Sequence, residues 1–259
     1  MPSQRPAEIV FLRHGESQAN ITEMRVEQGL LDRYPTTLIG VRDADIHLTD
    51  RGREQARVTG HYLAERFGAF DDCYVSPWTR TRQTFEQILA AYPAGAREGM
   101  LDRTRLDERL REREMGVLNW LTREEIAERY PDQARRRAID GEYFYRPSGG
   151  ESWADVSQRL GDVLTDLYRD RPGRRLLVVA HAVVVLCFRK LLQRLDEETI
   201  LRINAEDGPH NCSINRYVYD PRAGEDGKLA LAEWNNVAYG PELASVVPDN
   251  EQRQPRPGE

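Results

Sequence analysis

Two histidines and two arginines stand where this chain turns out of short apolar runs. Ile9-Val10-Phe11-Leu12 leads into Arg13-His14-Gly15-Glu16-Ser17, Leu176-Leu177-Val178-Val179-Ala180 ends on His181, and Asp71-Asp72-Cys73-Tyr74-Val75 runs into Ser76-Pro77-Trp78-Thr79-Arg80. Neutral imidazole is a competent nucleophile near pH 7, and a guanidinium can hold a tetrahedral oxyanion through paired hydrogen bonds. Taken singly, each junction is equally well a strand end with a solvated arginine and a packed histidine. If the three runs are strands of one parallel sheet, their tips share its carboxyl edge, where open α/β sheets bind ligands. Helix N-termini after Gly15 and Ser76 would add oriented N–H donors. The guest suited to such a pocket is a phosphate.

The elements that must position these groups follow from local patterns. The first and last runs are apolar and rich in β-branched residues, as buried strands are. Thr49 caps a helix with apolar spacing through Ala56, Tyr62, Leu63 and Phe67, closed by Gly68. Ser76-Pro77 reads as an N-cap followed by proline at the first helical position, opening a helix over about 78–91. Thr122 and Glu125 form a capping box for a helix that stops before Pro131. From Ser152 toward Tyr168, Val156, Leu160, Val163, Leu164 and Leu167 share one helical face, and Pro172-Gly173 ends that helix. Residues 213–219 alternate like a strand. Gly224-Glu225-Asp226-Gly227 is a hairpin signal, with 229–234 as the partner strand. Asn20 to Ile46 shows little periodicity and reads as a long, lid-like loop. The expected organisation is one α/β domain over 1–247, with a polar, disordered tail over 248–259.

Composition narrows the partners. The net charge of −6 gives no overall attraction for nucleic acid or anionic membranes. Lys190 and Lys228 are the only lysines among 37 basic residues, a bias that composition alone explains. Cys73, Cys187 and Cys212 have no ligand-like spacing, so neither a metal site nor a disulfide framework is expected. The first residues lack an apolar secretion signal, and no stretch is long and apolar enough to span a bilayer, so a cytoplasmic protein is expected. No oligomeric state follows.

Six motifs in order resemble the histidine phosphatase superfamily, in its phosphoglycerate mutase-like branch. They are Arg13-His14-Gly15-Glu16-Ser17 with Asn20, Leu48-Thr49-Asp50-Arg51-Gly52, Ser76-Pro77-Trp78-Thr79-Arg80-Thr81, Leu110-Arg111-Glu112-Arg113 with Gly116, Gly149-Gly150-Glu151-Ser152, and Val179-Ala180-His181. The resemblance spans roughly Glu8 to Tyr219. It implies a three-layer α/β/α sandwich around a mostly parallel sheet. It also implies a phosphohistidine formed on His14, a phosphate clamp of Arg13, Arg80 and His181, and Glu112 as general acid. Asn20 matches a phosphate-binding position. Ser17 and Arg113 are further candidates, although Ser17 could instead cap a helix and Arg113 could sit in an ion pair. Arg82 rivals Arg80, and Glu108 and Glu114 rival Glu112. His47, His61 and His210 are expected to be structural or exposed, and residues 143–146 either line the mouth or pack. No metal or cofactor is called for, since arginines supply the positive charge.

Two departures from the family pattern matter. Ala182 stands where many relatives have glycine, which would reshape the pocket if that position needs positive φ. The segment after Asn20 lacks the tryptophan-rich lid of phosphoglycerate mutases and carries Arg25, Arg33, Tyr34 and Arg42 instead. That favours a metal-independent phosphatase acting on a small phosphorylated metabolite or another phosphomonoester. The alternatives are a mutase-type phosphotransferase and a non-catalytic phospholigand binder. A deep basic mouth would suit sugar phosphates or bisphosphates; a flat, open one would suit a phosphoprotein.

Overall fold

The computed structural model describes residues 5–224 and 227–245. The expected disordered tail and the central pair of the hairpin turn, Glu225-Asp226, lie outside the described residues. In chain order the elements are β1 (Glu8–Arg13), α1 (Gln18–Glu27), α2 (Thr36–Ile39), α3 (Asp50–Phe67), β2 (Asp72–Val75), α4 (Thr79–Ala90), α5 (Ala94–Asp102) and β3 (Thr104–Leu106). They continue as α6 (Arg123–Arg129), α7 (Pro131–Phe144), α8 (Trp153–Asp170), β4 (Arg175–Ala180), α9 (Ala182–Gln193), α10 (Glu197–Asp207), β5 (Ile214–Asp220) and β6 (Lys228–Asn236). The strands form one six-stranded sheet in the order β3-β2-β4-β1-β5-β6. The first four are mutually parallel, and β5 and β6 are antiparallel additions.

Both faces of the sheet are covered, which is why β1 and β4 read as unbroken apolar runs. Ile9 and Phe11 of β1 join Leu176 and Val178 against α8 and α9, whose Val156, Leu160, Val163 and Phe188 fill that layer. Val10 and Leu12 face the other way with Leu177 and Val179, against Leu63 of α3 and Phe85 and Ile88 of α4. The expected α/β/α sandwich is the observed fold.

Several local expectations are corrected. Residues 20–46 are not an irregular loop. They contain α1, the short α2 and a 3-10 turn over Asp43–Asp45, resting on a small cluster of Ala19, Leu38 and Ile46 with Tyr34 and Trp120. α1 begins in a capping box between Ser17 and Asn20 but lacks a strong apolar stripe, so periodicity could not reveal it. α4 starts at Thr79, with Trp78 and not Ser76 at the N-cap position and no side-chain cap; the Ser76 hydroxyl meets His181 and accepts from the Trp78 amide. Pro131 ends α6 and also opens α7. Among the described residues no helix is long and apolar enough to cross a membrane.

Candidate active site

Strand register brings the two histidines together. Arg13 pairs with Ala180 across β1 and β4, and Val75 pairs with Val179 across β4 and β2. The ladders continue past the strand ends, with the His14 amide donating to Ala180 O at 3.0 Å and the Ser76 amide to Val179 O at 3.0 Å. His14 and His181 therefore leave adjacent strands side by side, with ring centroids 5.2 Å apart. Both are buried.

The network around His14 fixes its tautomer. Nδ1 lies 2.7 Å from Gly15 O, which can only accept, so Nδ1 carries the proton. Nε2 is then a lone pair, and it accepts from Nε of Arg80 at 3.2 Å. Burial, aided by the positive charges of Arg80 and Arg13, holds the imidazole well below its usual pKa. His181 is lowered in the same way, first by burial and then by Arg80. Its Nε2 meets Ser76 Oγ at 2.8 Å. Among the described residues, His181 Nδ1 and Arg13 Nε are buried polar atoms without a hydrogen-bond partner. An incoming oxyanion would satisfy two such atoms.

Arg80 is buried on the first turn of α4, over the Trp78 ring at 4.5 Å, whereas Arg82 is exposed. Arg13 is anchored by Nη1 to Pro209 O at 2.7 Å. Glu112 lies within electrostatic reach of Arg80 and Arg13, while Glu108 and Glu114 are exposed. Burial pushes the Glu112 carboxyl above the usual range, against the Arg113 amide and the two arginines, which pull it down. Desolvation is the largest of these influences on the Glu112 carboxyl.

Three of the sequence candidates are placed in supporting roles. The Ser17 hydroxyl donates to Asn20 Oδ1 at 3.0 Å and accepts from the Asn20 amide, so it caps α1. Asn20 Oδ1 also accepts from Asn211 Nδ2 at 3.1 Å, while the residue lines the cleft beside Arg13. Arg113 is buried and bound to Glu151 O, Glu142 and Tyr145 O, not to the clamp. None of residues 143–146 lines the cleft beside Arg13. Tyr143 and Tyr145 are buried, and Arg146 pairs with Asp155. His47, His61 and His210 are exposed, with His210 on the rim of the clefts. Ala182 opens α9 outside the positive-φ region, so the absence of glycine there costs the pocket nothing.

The sequence reading missed the residues that hold the reactive groups. Ser76 orients His181, and Thr84 accepts from the Gly15 amide at 3.0 Å. Asn211 donates to His14 O at 3.0 Å, and the Cys212 amide reaches Arg13 O. Only chain folding brings these partners within reach; Ser76 is marked only as a helix cap, and no local signal marks Thr84, Asn211 or Cys212.

Beside Arg13 opens a cleft of about 500 Å³, lined by Asn20, Glu23, Met24, Glu27, Asn211 and Tyr239 among others. A second, of about 390 Å³, runs along the C-terminal end of α10. Neither receives Arg25, Arg33 or Arg42.

Fold and site together define a phosphoglycerate mutase-like α/β protein. The chain belongs to the histidine phosphatase superfamily, whose branch 1 sequence model matches residues 9–236. It is 29% identical over 205 residues to a 2,3-bisphosphoglycerate-dependent phosphoglycerate mutase of Sinorhizobium fredii, covering 77% of this chain and 86% of that one. It is equally 29% identical to the phosphoglycerate mutase-like protein AT74 of Arabidopsis thaliana, over 87% of this chain and 68% of the relative. Among solved structures, a mycobacterial glucosyl-3-phosphoglycerate phosphatase bound to inorganic phosphate superposes with a TM-score of 0.62 at 25% identity, covering 90% of this chain and 98% of that one. The α-ribazole phosphatase of Shigella flexneri shares the fold at 19% identity, with a TM-score of 0.62 and coverage of 89% and 98%. Similar proteins thus include both mutases and phosphatases.

Proposed function

We propose that this protein is a metal-independent phosphatase that hydrolyses small phosphomonoesters through a phosphohistidine on His14. His14 Nε2, the lone-pair nitrogen, attacks phosphorus in line with the ester oxygen. Arg13, Arg80 and His181 hold the equatorial oxygens, where charge accumulates. Glu112 gives its proton to the departing alkoxide. The resulting carboxylate then takes a proton from water as that water attacks phosphorus and the P–N bond breaks, releasing inorganic phosphate and restoring neutral His14. A raised acid beside a buried nucleophile supports turnover over mere binding, because a binder has no use for a held proton.

The observation that carries hydrolysis over mutase chemistry is the cleft beside Arg13. A mutase handling phosphoglycerates must seat a second anionic group near the clamp, and here Glu23 and Glu27 face that space with Arg13 the only arginine or lysine lining it among the described residues. It is neither a basic pocket for bisphosphates nor a flat face for a phosphoprotein. An uncharged, hydroxyl-bearing leaving group suits it.

The test is phosphate release from a panel of esters in EDTA, with acid quench and intact mass to trap the adduct. Glycerol 2-phosphate and 2-phosphoglycerate form a matched pair differing by one carboxylate. Release from several esters, with glycerol phosphate preferred and the adduct lost in His14→Ala while the fold persists, is expected. A phosphoenzyme that discharges to a sugar phosphate acceptor faster than to water would establish the mutase instead.

A further inference from the structure

The 3-10 turn over Asp43–Asp45 meets Arg80. Arg80 Nη1 donates to Asp43 O at 2.7 Å and to Asp43 Oδ1 at 2.9 Å. On its other side Arg80 Nε faces His14. The Arg80 side chain is 5% exposed and that of Asp43 22%, so the pair is largely withdrawn from water. Two oxygens, one of them anionic, thus take the hydrogens of one guanidinium nitrogen, Nη1, that a phosphate oxygen would also draw on. Asp43 belongs to none of the six motifs that carry the resemblance.

We propose that Asp43 is an internal competitor for the phosphate subsite. In the resting protein its carboxylate and carbonyl hold Arg80 Nη1, and a phosphate dianion must take those donors before it can sit over His14 Nε2. Binding therefore displaces the 43–45 turn, and the anion pays for that displacement with part of its affinity. Competition of this kind is independent of the leaving group, because it acts on the phosphoryl oxygens alone. It leaves Arg80 paired whenever the subsite holds no anion. The proposal takes the position of the phosphate from the reading above, but its test does not need turnover.

The measurement is calorimetric titration of inorganic phosphate into the wild-type protein, Asp43→Asn and Asp43→Ser, with melting temperatures recorded alongside. Removing the charge should tighten phosphate binding by about 3- to 10-fold in both variants, the range expected for one partly buried, charge-assisted contact. KM for p-nitrophenyl phosphate and for glycerol 2-phosphate should fall by that same factor. Phosphate affinity that is unchanged or weaker in the variants overturns the proposal. Weaker binding with a lowered melting temperature would make Asp43 a tether for the 43–45 turn instead. Tighter phosphate binding in a protein that hydrolyses no ester would sink the phosphatase reading and leave this one standing.

Discussion

Protonation at single residues decides when this site can work. His14 is held neutral to lower pH than an ordinary imidazole, and Glu112 stays protonated to higher pH than an ordinary carboxyl. In the proposed mechanism, attack on an alkyl ester needs both of those forms. After correction for the ester's own ionisation, the acid limb of kcat/KM should lie below pH 6.5, where His14 gains a proton. The alkaline limb should lie above pH 4.5, where Glu112 loses one. With p-nitrophenyl phosphate, whose leaving group hardly needs protonation, the alkaline limb should vanish. Glu112→Gln should accordingly cost about 100-fold or more in kcat/KM on glycerol 2-phosphate and under about 10-fold in kcat/KM on the nitrophenyl ester. Equal losses on both would move the acid role to Glu108 or Glu114.

Elements position these residues through close backbone contacts, and two pairs of motifs turn out to be matching halves. A Cβ on Gly52 would lie 2.0 Å from Glu16 O, and one on Gly15 would lie 2.3 Å from Gly52 O. The N-terminus of α3 is thus pressed against the turn that carries His14. Thr49 Oγ1 and the Gln55 amide oxygen hold Glu16 there at 2.7 and 2.8 Å. In the same way Gly116, at φ +54°, packs on the backbone of residues 148–150. There Glu151 binds Arg111 and Arg159, and Arg159 reaches Glu112 O. Gly52→Ala should displace the His14 turn, costing about 2–3 kcal/mol of stability and about 100-fold in kcat. Gly161→Ala is the control, in the interior of α8 with nothing within 4 Å of the added carbon. It should add about 0.5–1 kcal/mol in urea unfolding and leave the rate alone. A Gly52→Ala enzyme of normal rate would show that the α3 contact does not position the nucleophile.

The whole molecule carries a cost for burying two neutral imidazoles. His14 and His181 have folded pKa values lowered from 6.5, so below that pH the unfolded chain binds protons that the native state refuses. Stability is therefore lost as pH falls through 6.5, by up to about 1.4 kcal/mol per pH unit for each ring. Glu112, shifted upward, works in the opposite sense, so a difference between proteins is the cleaner reading. Urea unfolding of His181→Asn and wild type between pH 7 and pH 5 should show the variant's slope reduced by about that amount. Identical slopes would mean that the His181 ring titrates alike in the native and the unfolded chain.

What the sequence determined by itself is whatever local chemistry settles. The strands β1, β2 and β4, the caps at Thr49 and Thr122, the helix starting from Ser152, and the placing of Arg13, His14, Arg80 and His181 at strand-to-helix junctions were all legible, because each depends on neighbours a few residues away. Tertiary structure decided where a polar group had rival partners. Ser76 could cap α4 or bond His181, 105 residues on, and the buried imidazole won. Arg113 could meet substrate or the 142–151 segment, and Asp43 could face solvent or Arg80. The helix over 18–27 likewise needed its buried seat more than its own pattern. Such choices turn on which partner sits at hydrogen-bond distance and how much water is excluded there, and the packed molecule sets both.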